Sequence, residues 1–243
     1  MKTLGIIPAR YNSSRFPGKP LAHILGKSMI QRVYEQCEMC KDLNMIVVAT
    51  DNKNIFSHVK SFGGNVIMTS KNHSTGTERC GEVVREFKNE YDNIINIQGD
   101  QPYILPHQIS TLVKSISEKK TKISTLAKQI SDFQEYQNKS TVKITFNKHN
   151  IATSFTRESS VKKNEFLRYN IYKHIGVYAM KLDVINKIIC LKEDPMEKNQ
   201  NLEQIRWMKN DYQITVKVTQ KDSISVDTLE DIKKIERLHL KNS

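Results

Sequence analysis

Four residues near strand exits could do phosphate chemistry: Arg10, Arg15, Lys19 and Asp100. Asp100 lies near the end of the run IINIQGDQP, residues 94–102, which stops at Pro102. A run of β-branched residues bounded by Gly and Pro reads as a buried strand with a sharp exit. In an open α/β sheet, ligands bind outside the carboxyl ends of such strands. A carboxylate there can hold a hard divalent cation, or it can cap the turn that follows. Arg10, Arg15 and Lys19 share one loop, residues 8–20, after the first apolar run. Backbone N–H groups and several cations in one loop can wrap a polyphosphate. The pattern G-x-x-x-x-G-K-[ST] is absent, so this is not an ordinary P-loop. A third loop, NHSTGTER at 72–79, places hydroxyls around a Gly at a helix start. Its hydroxyl and backbone groups suit the edge of a nucleotide base, although Thr75 or Thr77 could serve only as an N-cap. His73 reads as a polar loop residue.

These loops need a scaffold that brings them to one edge. Strands are expected at 3–7, 45–50, 65–69 and 94–97, and helices at 28–40, 55–62 and from the 72–79 loop to Phe87. Ile30, Val33, Tyr34 and Cys37 would share the buried face of the 28–40 helix. Alternating strands and helices predict a mostly parallel sheet with covering helices. Further on, a helix is expected at 106–117, a strand at 123–130 and a loop or short turn at 133–137. An antiparallel hairpin spans 141–146 and 151–156, with Arg157 at its end. Residues 158–167 are polar and aperiodic and read as a mobile loop. The strand at 172–180 carries His174 and Tyr178, four apart and so on one side. Helices at 182–191 and 201–210, a strand at 213–218 and an amphipathic helix at 229–240 complete the chain.

Composition narrows the function. The chain has 243 residues, 38% of them hydrophobic and 26% charged, enough for a packed α/β core. The net charge of +12 is scattered as single lysines, with no basic block and no interleaved aromatics. That pattern speaks for a solvated surface and against a nucleic-acid-binding protein. The four cysteines include one Cys37-x-x-Cys40 pair with no second pair to answer it. Reduced thiols in a cytoplasmic protein fit better than zinc. No apolar run approaches a membrane span and the first residues are no signal peptide, so no membrane partner is expected.

Eight stretches, in order, carry a resemblance over nearly the whole chain. They are IIPARYNSSRFPGKPL, VVATD, FGG with VIMTS, STGTER, NIQGDQP, YKHIGVYA, LEQIRW and VDTLEDI. Together they resemble the 3-deoxy-manno-octulosonate (Kdo) cytidylyltransferases, or CMP-Kdo synthetases. The resemblance implies the nucleotide-diphospho-sugar transferase fold in one domain over 1–243. Residues of about 1–130 would bind nucleotide, about 131–212 would bind sugar and form a homodimer, and about 213–243 would return with Asp227. It implies that Ala9, Arg10, Arg15, Lys19, Ser74, Thr75, Gly76, Thr77, Arg79 and Gln98 bind CTP. Asp100 and Asp227 would hold Mg²⁺, the one cofactor implied, and act with Arg10 and Lys19 in catalysis. Gln98, Arg157, His174, Tyr178, Glu203 and Gln204 would take the acidic keto-sugar. Glu203 and Gln204 are neighbours, and one of the two could be structural. Asp227 could also be an N-cap, with Glu230 three residues on. The implied reaction is CMP transfer to the anomeric hydroxyl of Kdo, in lipopolysaccharide or capsule synthesis.

Three positions depart from the family form. Gln101 stands where many members have Glu, and Leu229 where Pro is usual. The segment ESSVK, 158–162, replaces an Ile-Pro-aromatic segment on the sugar side. The sugar therefore stays open between Kdo, its 8-amino-3,8-dideoxy analogue and another acidic keto-sugar.

Overall fold

Strand β1 (Thr3–Ala9) is buried on both faces, and the rest of the fold follows from that. Leu4 and Ile6 point into one core, Ile7 and Ala9 into the other. The computed structural model describes residues 1–12, 16–87 and 90–242. After β1 come a short hairpin, β2 (His23–Ile24) with β3 (Lys27–Ser28), and helix α1 (Met29–Glu38). Strand β4 (Met45–Thr50), helix α2 (Lys53–Ser61), strand β5 (Val66–Met68) and helix α3 (Gly76–Glu86) continue the alternation. Strand β6 (Asn93–Asn96), helix α4 (Pro106–Ser117) and strand β7 (Ile123–Gln129) follow. Helix starts are capped as their residues dictate: Ser28 accepts from the Gln31 N–H and Asn52 from the Ile55 N–H.

The main sheet runs β11-β7-β10-β6-β1-β4-β5, where β10 is Tyr172–Lys181 and β11 is Ile214–Val218. All its neighbours pair in parallel except β10, which lies antiparallel between β6 and β7. The expectation of a mostly parallel sheet is met. Periodicity did not reveal the reversed strand in its middle. The reversal brings the start of β10, with His174, to the edge where the parallel strands end. A bulge between Ile175 and Tyr178 keeps His174 and Tyr178 on one side, with ring centroids 5.1 Å apart.

The hairpin β8 (Lys143–Phe146) and β9 (Ala152–Thr156) attaches through β8 to β10. The 133–137 segment is a short helix, α5 (Phe133–Gln137), capped by Asp132. Residues 158–167, expected as a mobile loop, are tied down: the Ser159 hydroxyl donates to Tyr136 O and the Val161 N–H to Tyr136 Oη. Phe166 is buried with Tyr136 and Ile130, so apolar residues spaced too irregularly for a helix or strand anchor the segment. Past α6 (Leu182–Ile188), the chain forms α7 (Pro195–Gln200), a helix with its own Asp194 capping box that was not expected. Helix α8 (Gln204–Lys209) starts three residues later than the pattern suggested, and α9 (Leu229–Asn242) ends the chain. Ile232 and Ile235 of α9 pack on Ile24, Met29 and Val226, which fixes the segment carrying Asp227 against the first loop. No helix among the described residues is long and apolar enough to cross a membrane.

Candidate active site

The carboxyl ends of β1 and β6 meet behind a tight backbone approach. A Cβ on Gly99 would lie 3.0 Å from the Pro8 carbonyl oxygen, tighter than ordinary contact, so glycine suits this close approach of the two segments. Beyond this crossing, Ala9 is buried and Arg10 is exposed at the mouth. Arg15 lies outside the described residues. The Gly18 N–H donates to Tyr11 O at 2.9 Å, which closes the loop and starts the 3₁₀ turn Lys19–Leu21.

Lys19 is the centre of the cationic side. Its Nζ donates to Asp100 Oδ2 at 2.9 Å, to Val226 O at 3.0 Å and to Asp227 Oδ1 at 3.5 Å. The two carboxylates, far apart in sequence, thus share one cation position. Two further bonds clip their segments together. The Val226 N–H donates to Asp100 O at 2.9 Å. The Ser223 hydroxyl donates to Gln101 Oε1 at 2.6 Å, with both residues buried. Gln101, one of the departures, therefore braces the carboxylate pair. Asp227 does not cap α9 with Glu230. Thr228 and Asp231 form that cap, since Asp231 Oδ2 accepts from the Thr228 N–H and hydroxyl. Asp227 Oδ1 is turned to Lys19 instead. Among the described residues no cluster of three or more His, Cys, Asp or Glu could hold a metal. Two partly exposed carboxylates reaching one point fit a Mg²⁺ ion that takes its other oxygens from phosphates and water.

The 72–79 loop is a capped helix start with inward-turned side chains. Thr75 and Glu78 form a reciprocal capping box on α3, and Glu78 also accepts from the Ser74 N–H and hydroxyl. Those bonds hold the Glu78 carboxyl below its ordinary range against the opposing pull of burial. Thr77 is buried and donates to Glu203 Oε1 at 2.7 Å. Arg79 is 3% exposed; its Nη2 donates to Asp51 Oδ2 at 2.8 Å and its Nη1 to Ser70 O at 3.1 Å. The structure thus spends Arg79 on holding the ends of β4 and β5 around the loop. Gly76 lies against the Gln98 amide.

The sugar-side residues also converge, in a drier setting. His174 Nε2 pairs with the Thr125 hydroxyl at 2.9 Å, and its ring packs on Phe155 and Tyr178. Burial, aided by the Arg157 charge, pushes His174 down to about 3, so the ring is neutral. Tyr178 stacks edge-on against Trp207 at 4.9 Å, and burial pushes its phenol well up. Burial raises the Glu203 carboxyl to about 6. Tyr178 Oη, Glu203 Oε2 and Gln204 Nε2 are buried without a hydrogen-bond partner among the described residues. Glu203 and Gln204 therefore both turn a polar atom inward, although they are neighbours. Glu203 stands directly before α8 with a helical backbone (φ −62°, ψ −27°), and Gln204 is the first residue of that helix. Arg157 is docked by its Nε on Gln200 O at 2.7 Å and by its Nη1 on Ser140 O at 3.2 Å. Arg206, 3% exposed, ties this half to the nucleotide half: its Nη2 lies 3.4 Å from Glu78 and its Nε 3.2 Å from Glu197.

Sequence reasoning missed Asn96 and Gln200. Asn96 has no exposure, donates to Thr77 Oγ1 at 3.2 Å and accepts from Gln98 Nε2 at 3.0 Å. A signal existed: a lone Asn within the run IINI is a polar group in a buried strand, and such a group needs partners. Gln200 carried no signal, because its role depends on where α7 ends.

An enzyme built this way handles nucleotide phosphates, and its class is that of the nucleotidyltransferases. A family model described as cytidylyltransferase matches residues 4–238. The 3-deoxy-manno-octulosonate cytidylyltransferase of Parabacteroides distasonis is 44% identical over 245 residues, covering 96% of each chain. That of Bacteroides thetaiotaomicron is 41% identical over 251 residues, covering 100% of this chain and 99% of the relative. A solved CMP:2-keto-3-deoxy-manno-octonic acid synthetase complexed with CTP superposes with a TM-score of 0.91 at 35% identity, over 100% of both chains. A 4-diphosphocytidyl-2C-methyl-D-erythritol synthase from Anaerococcus prevotii, at TM-score 0.64 and 14% identity over 98% of this chain and 96% of its own, shares the fold. The chain belongs to the cytidylyltransferase family.

Proposed function

We propose that this protein transfers CMP from CTP to the anomeric hydroxyl of Kdo, giving CMP-Kdo and pyrophosphate, with Mg²⁺. The carrying observation is the convergence of Asp100 and Asp227 on one cation position, held by Lys19 of the first loop. In this reading the sugar hydroxyl attacks the α-phosphorus, a new P–O bond forms, and the bond to pyrophosphate breaks. Arg10, Arg15 and Lys19 neutralise the phosphates and the leaving pyrophosphate. Ala9, Ser74, Thr75 and Gly76 line the nucleotide, with Thr77 and Arg79 shaping the loop from behind. Bound Mg²⁺ supplies charge neutralisation at the phosphate oxygens, and Asp100 and Asp227 would hold it. Gln98, Arg157, His174, Tyr178, Glu203 and Gln204 position the sugar. The unpartnered buried atoms of Tyr178, Glu203 and Gln204 support a ligand rich in hydroxyls, because each such atom is costly until paired.

The protein acts in this reading as a cytoplasmic homodimer feeding lipopolysaccharide or capsule synthesis. Exposed Leu167 and Tyr169, in the part expected to dimerise, support the dimer. Light scattering at micromolar concentration tests it, and a monomer mass refutes it. The reaction is tested by pyrophosphate release with Mg²⁺, comparing CTP with UTP and Kdo with its 8-amino analogue. Release with CTP and Kdo is expected. Release with the amino sugar alone would keep the nucleotide half and change the substrate. Silence with both sugars, while CTP binds, would overturn the sugar assignment.

A further inference from the structure

A chain of polar side chains, buried at Asn96 and Thr77 and half-buried at its two ends, crosses from the nucleotide side to the sugar side, and one end dictates its direction. Gln98 Nε2 lies 3.0 Å from Asn96 Oδ1, Asn96 Nδ2 lies 3.2 Å from Thr77 Oγ1, and Thr77 Oγ1 lies 2.7 Å from Glu203 Oε1. Above about pH 6 Glu203 is ionised and can only accept. The Thr77 hydroxyl must therefore give its one proton to Glu203, which leaves it only lone pairs for Asn96. Asn96 must then turn its amide nitrogen to Thr77 and its oxygen to Gln98. Gln98 in turn must spend an N–H on Asn96, and its Oε1 is left over Gly76, 3.2 Å from where a Cβ would stand. An amide's two ends are otherwise interchangeable, so the carboxylate removes that ambiguity from both amides. Asn96 and Thr77 have 0% and 1% exposure, so water does not replace their partners.

We propose that Asn96 and Thr77 are positioning residues: they form a one-way hydrogen-bond relay by which the sugar-side carboxylate of Glu203 sets the face that Gln98 presents to substrate. The relay rests on the reading of this cleft as the CTP and acid-sugar site. It implies that Gln98 keeps its Oε1 free as an acceptor, beside the one N–H left on Nε2, so through that oxygen it reads a donor such as a substrate hydroxyl. Such a link couples the two substrate halves without touching the reacting atoms.

The test is a double-substitution cycle on kcat/KM for the acid sugar, with Thr77→Val, Glu203→Gln and both together. Thr77→Val keeps shape and removes the hydroxyl; Thr77→Ser keeps the hydroxyl. Each single change at 77 (to Val) and 203 is expected to lower kcat/KM for the sugar tenfold or more. The double variant is expected within threefold of the worse single, because a broken relay cannot be broken twice. Thr77→Ser should restore most of the loss. A double variant whose loss is the product of the singles, or a Thr77→Ser as poor as Thr77→Val, would overturn the relay. If the unmodified protein turns over no acid sugar with CTP, the proposed reaction has failed and a ligand-free readout decides the relay. The side-chain amide resonances of Asn96 and Gln98 should then shift together in Thr77→Val and hold in Thr77→Ser. No shift in Thr77→Val would end the proposal.

Discussion

The two halves of the cleft meet the same demand in opposite ways. On the metal side, Lys19, Asp100 and Asp227 are charged, partly exposed and paired with one another. On the sugar side, Tyr178 and Gln204 are buried, Glu203 is half-buried, and each holds a buried polar atom without a partner among the described residues. A ligand enters the first half by exchange, replacing one ion's partner with another. It enters the second by completion, supplying partners that the fold leaves out. Exchange suits a polyphosphate with its cation, since exposed ion pairs are weak and easily traded. Completion suits a sugar, since an unpaired buried atom rejects any ligand that fails to satisfy it.

The largest effect should come from the exchanged charges. Asp100→Asn is expected to lower kcat by about 10²- to 10³-fold, the usual cost of losing one electrostatic contact at a reacting centre. Its melting temperature should stay near that of the unmodified protein, because Asp100 is partly exposed. Near-normal pyrophosphate release from Asp100→Asn would sink the metal role. Lys19→Met should bind Mn²⁺ about tenfold more tightly without nucleotide, because a competing ammonium is gone. Mn²⁺ titration by electron paramagnetic resonance measures this, and unchanged affinity would mean that Lys19 does not hold the ion's place.

Smaller effects should mark the bracing and the buried half. Ser223→Ala leaves Gln101 Oε1 buried and unpaired, at a cost of about 1–3 kcal/mol read by chemical denaturation. It should also raise the Mg²⁺ concentration for half-maximal rate, since the clip aligns the carboxylates; an unchanged Mg²⁺ requirement would reduce Gln101 to packing. Glu203 has a signed pH signature. Its carboxyl rises from 4.5 to about 6 on folding, so between those pH values the folded state binds the extra proton. The stability this group contributes is full below pH 4.5 and is lost as pH rises through 6. His174, lowered from 6.5 to about 3, works in the opposite direction in the same window. The measurement is therefore the difference in melting temperature between the unmodified protein and Glu203→Gln. That difference should change between pH 4.5 and 6 and level off above it. Smallest of all, Leu229→Pro should stay within about 0.5 kcal/mol. Leu229 is 51% exposed at the first helical position, where proline is tolerated. That departure should be neutral, whereas Gln101, bonded to Ser223, should not.

Where sequence reading succeeded, the cause was local. The β1, β4 and β6 runs carry β-branched residues between Gly, Pro and Asn, and strands formed there. Helix α4 spans 106–117, as its pattern and leading proline required. Where reading failed, the cause was distance in sequence. Strand β10 reads the same whether it runs with its neighbours or against them. The 158–167 segment is held by Tyr136, more than twenty residues earlier, on which its own Phe166 also packs. The roles expected for Thr77 and Arg79 rested on a motif, and a motif does not say which way a side chain turns.

The sequence by itself determined which residues could do chemistry here and which strands would carry them, because residue type and short-range periodicity are local properties. It marked Arg10, Lys19, Asp100 and Asp227 as charges beside strand exits and helix starts. Only the tertiary structure decided that Asp100 and Asp227 face one ammonium, that Gln101 braces them, and that Asn96 links Gln98 to Glu203. Apart from the Asn96–Gln98 bond, each of those facts is a distance between segments remote in the chain. Such distances arise only when both faces of β1 are buried and the strands on either side of it fall into register.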